Sequence, residues 1–331
     1  GVSGPEDTVA GEKPLAFGVA GMTSDHVWEM GDGLAALPDV RIAAVADAAS
    51  ELTARGAERW GAAAFSSARA MLDAGPLDAI LVCADNAAKA GIVELAAARG
   101  VHVYSDKPMA ATLAQADPIL RAASVSGIAV FVAFHSLFTD AHREVRALVR
   151  AGAIGAPFLA RGVIGHAGPV EYGCSPHFRD WLFDERRNGG GSFIDEACYR
   201  IAEFQDVVGP IAEVSGFAAS IGTRDDLPAG VEDNAVAVVR FAGGALGLID
   251  AKWGQVGDFP VDSSYHGTHG TVAIGPGGVD LWSSLDPAPS MPDGWTELEP
   301  TAASGVAARH WRRPPDPPGG LCAGGAEQRF F

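Results

Sequence analysis

From Leu15 onward, apolar runs of four to seven residues alternate with Ala-rich stretches of helical period. That alternation predicts a parallel sheet wrapped by helices. Leu15–Ala20, Val40–Ala46, 78–83, 101–104 and 128–134 read as strands, and 26–37, 50–61, 89–99 and Leu113–Ser126 as the helices between them. Gly100 follows the third helix as a C-terminal cap. The run 78–83 is apolar almost throughout, as expected of a strand covered on both faces.

The pattern changes near residue 135. A helix is predicted over 139–151, ending at Gly152, and most later segments alternate like strands of an antiparallel or mixed sheet: 157–164, 211–221, 235–241, 245–251 and 271–274. Gly243-Gly244 reads as a hairpin turn. One helix, 192–208, interrupts the strands directly after Gly189-Gly190-Gly191. The expected organisation is a flexible leader (1–14), an α/β domain (15–134), an α+β domain with an open, mostly antiparallel sheet (135–300), and a tail (301–331). The tail is rich in Pro and Gly and is expected to be poorly ordered.

Composition narrows the function classes. The 331 residues carry a formal net charge of −17, and no basic stripe precedes the last thirty residues, which excludes a nucleic-acid footprint. Four cysteines without a C-x-x-C pair indicate neither a zinc site nor a disulfide framework, so a cytoplasmic setting is expected. No run is long enough to span a bilayer as a helix, so no membrane association is expected.

Candidate chemistry sits where the predicted strands end. Open α/β sheets bind ligands beyond the carboxyl ends of their strands. The first such turn, Gly21-Met22-Thr23-Ser24-Asp25-His26, has a single glycine; it reads either as an ordinary strand–helix turn or as a phosphate-binding turn in which Thr23, Ser24 and His26 supply donors. Asp47 ends the second strand at the spacing where an acid accepts from ribose hydroxyls, and no basic residue follows it directly to hold a 2′-phosphate. It reads equally as a cap for the next helix. Asn86 follows the third strand. The run 101–104 ends in Ser105-Asp106-Lys107-Pro108, which places one of only four lysines at a strand's carboxyl end. Glu12-Lys13-Pro14 repeats the tripeptide almost exactly in kind but has no strand before it, so context and not the motif singles out Lys107.

A second cluster lies at Gly189-Gly190-Gly191 and the helix after it. Asp195 and Tyr199 are four apart and share a face of a regular helix, while Phe193, Ala197, Ile201 and Phe204 form a stripe suited to the core. The glycines permit close backbone approach.

Together these markers resemble the glucose–fructose oxidoreductase / inositol dehydrogenase / rhizopine catabolism (Gfo/Idh/MocA) family over about residues 15–275. The resemblance rests on Asp106-Lys107-Pro108 after a strand and on Gly189-Gly190-Gly191 with Asp195 and Tyr199. It also rests on Ala151-Gly152-Ala153-Ile154-Gly155, Val231-Glu232-Asp233-Asn234 and Tyr265-His266-Gly267-Thr268-His269-Gly270-Thr271. Departures are Asp106 for the family's Glu, Tyr199 for the usual His, Ala202 for a frequent acid, and a sparse glycine turn.

The resemblance implies an N-terminal Rossmann domain, a C-terminal open sheet that forms homo-oligomers, and NAD(P)-dependent chemistry on sugars, polyols or related carbinols. NAD is favoured over NADP, with contacts at Gly21, Thr23, Ser24, His26, Asp47, Asn86, Asp106 and Lys107. Lys107, Asp195 and Tyr199 are the expected catalytic residues: Lys107 as donor to the reacting oxygen, Tyr199 as acid/base and Asp195 as the orienting acceptor. A free tyrosine has a pKa of about 10, and a nearby lysine cation favours the phenolate. Loops after the first domain suggest His135, His166, Tyr172, His177 and Trp181 as substrate contacts. His266 and His269 lack a third ligand by sequence, so no metal is expected. Two other readings remain open: an NAD-using non-oxidative glycoside hydrolase, and a non-catalytic NAD-binding regulatory protein.

Overall fold

A computed structural model of the chain describes residues 13–221, 231–299 and 306–315. Six strands, β1 (Leu15–Ala20), β2 (Val40–Ala46), β3 (Ala63–Phe65), β4 (Ala79–Val82), β5 (His102–Asp106) and β6 (Val130–Ala133), form one sheet in the order β3-β2-β1-β4-β5-β6. All its pairings are parallel. Parallel neighbours need crossovers, supplied by α1 (His26–Ala35), α2 (Ser50–Trp60), α3 (Ala68–Ala74), α4 (Lys89–Ala97) and α5 (Leu113–Ser126). Successive residues of a strand bury opposite ways: Ile80 and Val82 join one apolar cluster, Leu81 and Cys83 another. This is why 78–83 had to be apolar on both faces. The strand order reverses between β1 and β4, the topological switch point of a Rossmann sheet.

The later chain contributes α6 (Asp140–Arg150), α7 (Pro176–Leu182), α8 (Glu185–Asn188) and α9 (Cys198–Val207). Its strands are β7 (Pro157–His166), β8 (Ile211–Ala219), β9 (Asn234–Phe241), β10 (Leu246–Trp253), β11 (Ser263–Gly267), β12 (Gly270–Gly275), β13 (Gly278–Ser283), β14 (Thr296–Leu298) and β15 (Arg309–Arg313). They form a second sheet in the order β14-β15-β13-β12-β11-β7-β10-β9-β8. Among the described strands of this sheet only β7 and β10 pair in parallel. Strict alternation along β9 puts Ala235, Ala237, Val239 and Phe241 inside. Val239 and Phe241 join Val145 and Leu148 of α6, Phe204 of α9, and Ile249, Tyr265, Val272 and Leu281 in one core. Val236, Val238 and Leu246, on the other face, are exposed.

Two compact units result, and their division corrects the expected boundary. It falls between Ala133 and Phe134, but Ser175–Leu182 and Arg186–Gly189 group with the first unit, not the second. The cause is local chemistry. Ser175 N–H donates to Asp25 at 2.6 Å, and Arg187 pairs with Asp85 and Asp180.

A second correction concerns the tail. Residues 309–313, expected to lack order, form β15, inserted between β13 and β14 with His310 and Trp311 buried. The run Arg-His-Trp-Arg-Arg alternates poorly, and its Pro-rich surroundings masked it. Residues 301–305 and 316–331 of the tail, and the leader over 1–12, lie outside the described residues. The predicted helix 192–208 opens as a π-helical turn, Phe193–Ala197, before α9. Among the described residues no helix is long and apolar enough to cross a membrane.

Candidate functional site

At the switch point the β1–α1 turn is held against the end of β4. Gly21 donates to Ala46 O and accepts from Cys83 N–H. Its φ is +76°, and a Cβ there would lie 2.4 Å from the Cβ of Ala84, so only glycine fits. Met22 N–H donates to Asp47 Oδ2 at 2.6 Å, and Ala49 N–H to Oδ1 at 2.8 Å. Asp47 therefore braces the β1–α1 turn and the residue before α2, and as a half-buried carboxylate it keeps an acceptor lone pair on each oxygen. Thr23 Oγ1, in the same turn, is buried with no hydrogen-bond partner. A buried hydroxyl without a partner in this turn fits a polar ligand. The residues at the ends of β1 and β2 thus fit a dinucleotide.

Four expected cofactor contacts, Ser24, His26, Asp106 and Asn86, are turned inward. Ser24 Oγ donates to Asp106 Oδ2 at 2.8 Å, and His26 Nδ1 lies 2.9 Å from the same oxygen, all three residues being buried. Burial opposes charge on Asp106. The His26 hydrogen bond and the fields of His26, Lys89 and Lys107 outweigh it and hold the carboxyl well below the usual range. Asn86 is also turned inward. Its Nδ2 donates to Asn188 O at 3.0 Å and to Asn188 Oδ1 at 2.9 Å, and its Oδ1 accepts from Lys89. The amide has no capacity left for a ligand on the acceptor lone pair and donors so used.

Lys107 follows β5 directly, because the strand runs two residues further than the apolar pattern indicated. Its side chain is buried with Asp106. Pattern reading did not single out Lys89, whose fully buried ammonium reaches Asp106 O at 2.9 Å, Lys107 O at 3.1 Å and Pro108 O at 2.7 Å. Its position on an apolar helix face was the available signal, since an unpartnered lysine does not bury there.

In the second unit, Glu232 seats the glycine run. Its Oε2 accepts from Gly191 N–H at 2.6 Å and its Oε1 from Phe193 N–H at 3.0 Å, satisfying the free donors at the start of the helical segment. Its backbone O accepts from Ser192 N–H at 2.9 Å, so a Cβ on Gly191 would lie 2.0 Å from that oxygen. The π turn then carries Asp195, and α9 carries Tyr199; both are buried. A wide turn shifts the phase assumed for a regular helix. Tyr199 packs edge-on against Phe134 and His135, with ring centroids 6.3 and 5.1 Å away.

His166, Asp195 and Glu196 form a second group, with ligand atoms within 4.8 Å of one another, and the Tyr172 ring lies 4.6 Å from His166. Those distances alone would suit a cation. However, His166 Nδ1 accepts from Gly168 N–H at 3.0 Å, which puts the imidazole proton on Nε2, 3.1 Å from Glu196 Oε1. A metal-bound imidazole needs the reverse, its outer nitrogen donating. The pair is a hydrogen-bonded dyad, and Glu196 is a member that pattern reading missed.

Of the expected substrate contacts, His135, His166 and Tyr172 thus gather near Asp195, Glu196 and Tyr199 within the second unit. His177 and Trp181 belong to the first. His177 Nε2 pairs with Glu51 at 3.1 Å. Trp181 is spent on packing, buried against Phe178 with its indole N–H donating to Thr23 O at 3.3 Å. His266 is bracketed by Ser264 and Thr271 hydroxyls.

Comparison with known proteins matches residues 15–134 to a family described as an oxidoreductase family with an NAD-binding Rossmann fold, and residues 142–273 to the GFO/IDH/MocA C-terminal domain. Myo-inositol 2-dehydrogenase of Thermotoga maritima is 24% identical over 221 residues, covering 66% of this chain and 63% of the relative. Levoglucosan dehydrogenase of Pseudarthrobacter phenanthrenivorans is 27% identical over 252 residues, covering 70% and 64%. The chain thus spans just under two thirds of the length of both curated relatives. The crystal structure of the WlbA dehydrogenase from Bordetella pertussis, in complex with NADH and UDP-GlcNAcA, superposes with a TM-score of 0.72 at 22% identity, covering 80% of this chain and 74% of that one. At that identity the likeness shows the fold. With both units matched, and with Lys107 after β5 and Asp195 and Tyr199 after the glycine run, the protein belongs to the Gfo/Idh/MocA family.

Proposed function

We propose that the protein is an NAD-dependent oxidoreductase that moves hydride between the nicotinamide and a carbinol of a sugar, polyol or related compound. The observation that carries the reading is Lys107, held by a built hydrogen-bond network at the carboxyl edge of a β3-β2-β1-β4-β5-β6 sheet. The family membership and the inositol and levoglucosan dehydrogenases among its relatives support it.

NAD, when bound, supplies the hydride acceptor. Asp47 accepts from its ribose hydroxyls, and Thr23 gives its orphaned hydroxyl to the phosphate end. Lys107 donates to the substrate oxygen and stabilises charge as the carbinol proton leaves. Tyr199 takes that proton, and Asp195 orients a substrate hydroxyl. His135, His166 and Tyr172 bind the remaining hydroxyls, and the His166–Glu196 dyad presents fixed polar atoms to them.

Four cysteines without a C-x-x-C pair fit a reducing, cytoplasmic setting. The exposed apolar face carrying Val236, Val238 and Leu246 suits a homo-oligomer formed through the second sheet. Light scattering tests that assembly. The decisive experiment for the activity is a panel of sugars and polyols assayed with NAD⁺ by NADH absorbance. Turnover of at least one carbinol with net NADH release is expected. Hydrolysis of a glycoside without net NADH would favour the non-oxidative alternative, and no turnover across the panel would sink the dehydrogenase reading.

A further inference from the structure

Lys89 is the most unusual charge in the first unit. It is fully buried, and it is the first residue of α4, where the helix dipole disfavours a cation. A neutral donor could tie a loop there at lower cost. Instead the ammonium faces four acceptors: Asn86 Oδ1 at 2.9 Å and the carbonyl oxygens of Asp106, Lys107 and Pro108 at 2.9, 3.1 and 2.7 Å. Three successive carbonyls converging on one point repel one another unless a compact cation sits between them. The planar fork of an arginine does not converge in this way, whereas a rotatable ammonium does.

We propose that Lys89 is a positioning residue for Lys107: it gathers the three carbonyls of the Asp106-Lys107-Pro108 turn and so fixes the backbone from which the Lys107 side chain departs. Asn86 extends the device, since it accepts from Lys89 and donates to Asn188, the residue before Gly189. Asp106 balances it, its carboxylate lying in the field of Lys89 and bonded to Ser24 and His26. The turn is thereby tied to α1, to α4 and to the segment ahead of the glycine run. A misplaced donor weakens catalysis more than binding, because the geometry of proton and hydride transfer is exacting. The catalytic part of this inference rests on the dehydrogenase reading; the structural part does not.

The test uses the full chain with [13Cε]lysine incorporated biosynthetically. Four lysines give four Cε resonances, assigned by substitution. In Lys89→Met and Lys89→Gln, each checked for cooperative thermal unfolding, the Lys107 resonance and the midpoint of its pH titration are expected to move while those of Lys13 and Lys252 stay. With a polyol that the parent oxidises, kcat is expected to fall about tenfold or more, with KM for NAD within about twofold. A folded Lys89 variant whose Lys107 titration matches the parent, or whose kcat is unchanged, overturns the proposal. Should both variants fail to fold, Asn86→Ala decides: a displaced Lys107 resonance with those of Lys13 and Lys252 unmoved supports positioning, and an unmoved Lys107 resonance overturns it. A parent that oxidises no polyol, with a Lys107 resonance that still moves on substitution, sinks the dehydrogenase reading and leaves the positioning intact.

Discussion

His26 Nδ1 and Asp106 Oδ2 stand 2.9 Å apart, and Ser24 donates to the same oxygen, so one carboxylate clasps the start of α1 to the end of β5. Removing it strands a buried imidazole and a hydroxyl. Asp106→Ala is expected to cost about 3–5 kcal/mol, read by urea denaturation at pH 7. An unchanged midpoint would show that the clasp does not hold the fold.

The same pair sets an acid limit. The folded Asp106 carboxyl titrates well below its unfolded value of about 3.9. Its contribution is therefore whole above that unfolded value and is lost as the pH falls through the folded one. Parent stability should drop below about pH 4 more steeply than that of Asp106→Asn, which lacks this group. Parallel denaturation series from pH 7 to pH 3 test this, and identical slopes would refute it.

Lys107→Met should abolish turnover and leave NAD affinity within about twofold, since its proposed partner is the reacting oxygen. Tyr199→Phe should lower kcat by about 10²–10⁴-fold and remove the rising, acid-side limb of the pH profile, as loss of a general base does. Stopped-flow NADH formation and cofactor fluorescence separate the two effects. Retained turnover in either variant removes that side chain from the mechanism.

The proposed ribose contact of Asp47 makes it the residue that sets the choice of cofactor. Asp47→Ser keeps an acceptor for Met22 N–H or Ala49 N–H but removes the charge facing a 2′-phosphate. The ratio of kcat/KM for NAD over NADP is expected to fall about tenfold or more, since each hydrogen bond to a charged group contributes about 1.5–3 kcal/mol. A constant ratio would place the adenosine ribose elsewhere.

Trp311 tests the last strand. Buried beside Leu281, its register partner across β13 and β15, it should cost about 3–5 kcal/mol when truncated to Ala. A loss below about 1 kcal/mol, the level of an ordinary surface substitution, would mean that β15 contributes little.

Much of the architecture was legible because periodicity reports burial. The strands around Ile80 and Ala237 carry the two-sided and one-sided patterns of their sheets, and the glycine run marked its close approach to Glu232. What escaped notice was chemistry that depends on partners distant in sequence. Lys89 looks like a helix surface residue until three carbonyls from residues 106–108 surround it, and Glu196 looks like a solvated acid until His166 meets it. Ser24, His26 and Asn86 occupy the right turns, but whether a polar side chain in such a turn faces a ligand or the interior is decided by neighbours some eighty to one hundred residues away. Short strands such as β3 and β15 were missed because three to five residues carry too little period to register.

The first unit is finished by polypeptide that leaves it after Ala133 and comes back only at Ser175. Until Trp181 and Asn188 have emerged from the ribosome, the Thr23 carbonyl lacks the indole N–H and the Asn86 amide nitrogen lacks the acceptors that it has in the finished fold. The nucleotide-binding half therefore cannot mature vectorially ahead of its neighbour, and a cut at residue 134 would yield an incomplete globule instead of a transplantable module.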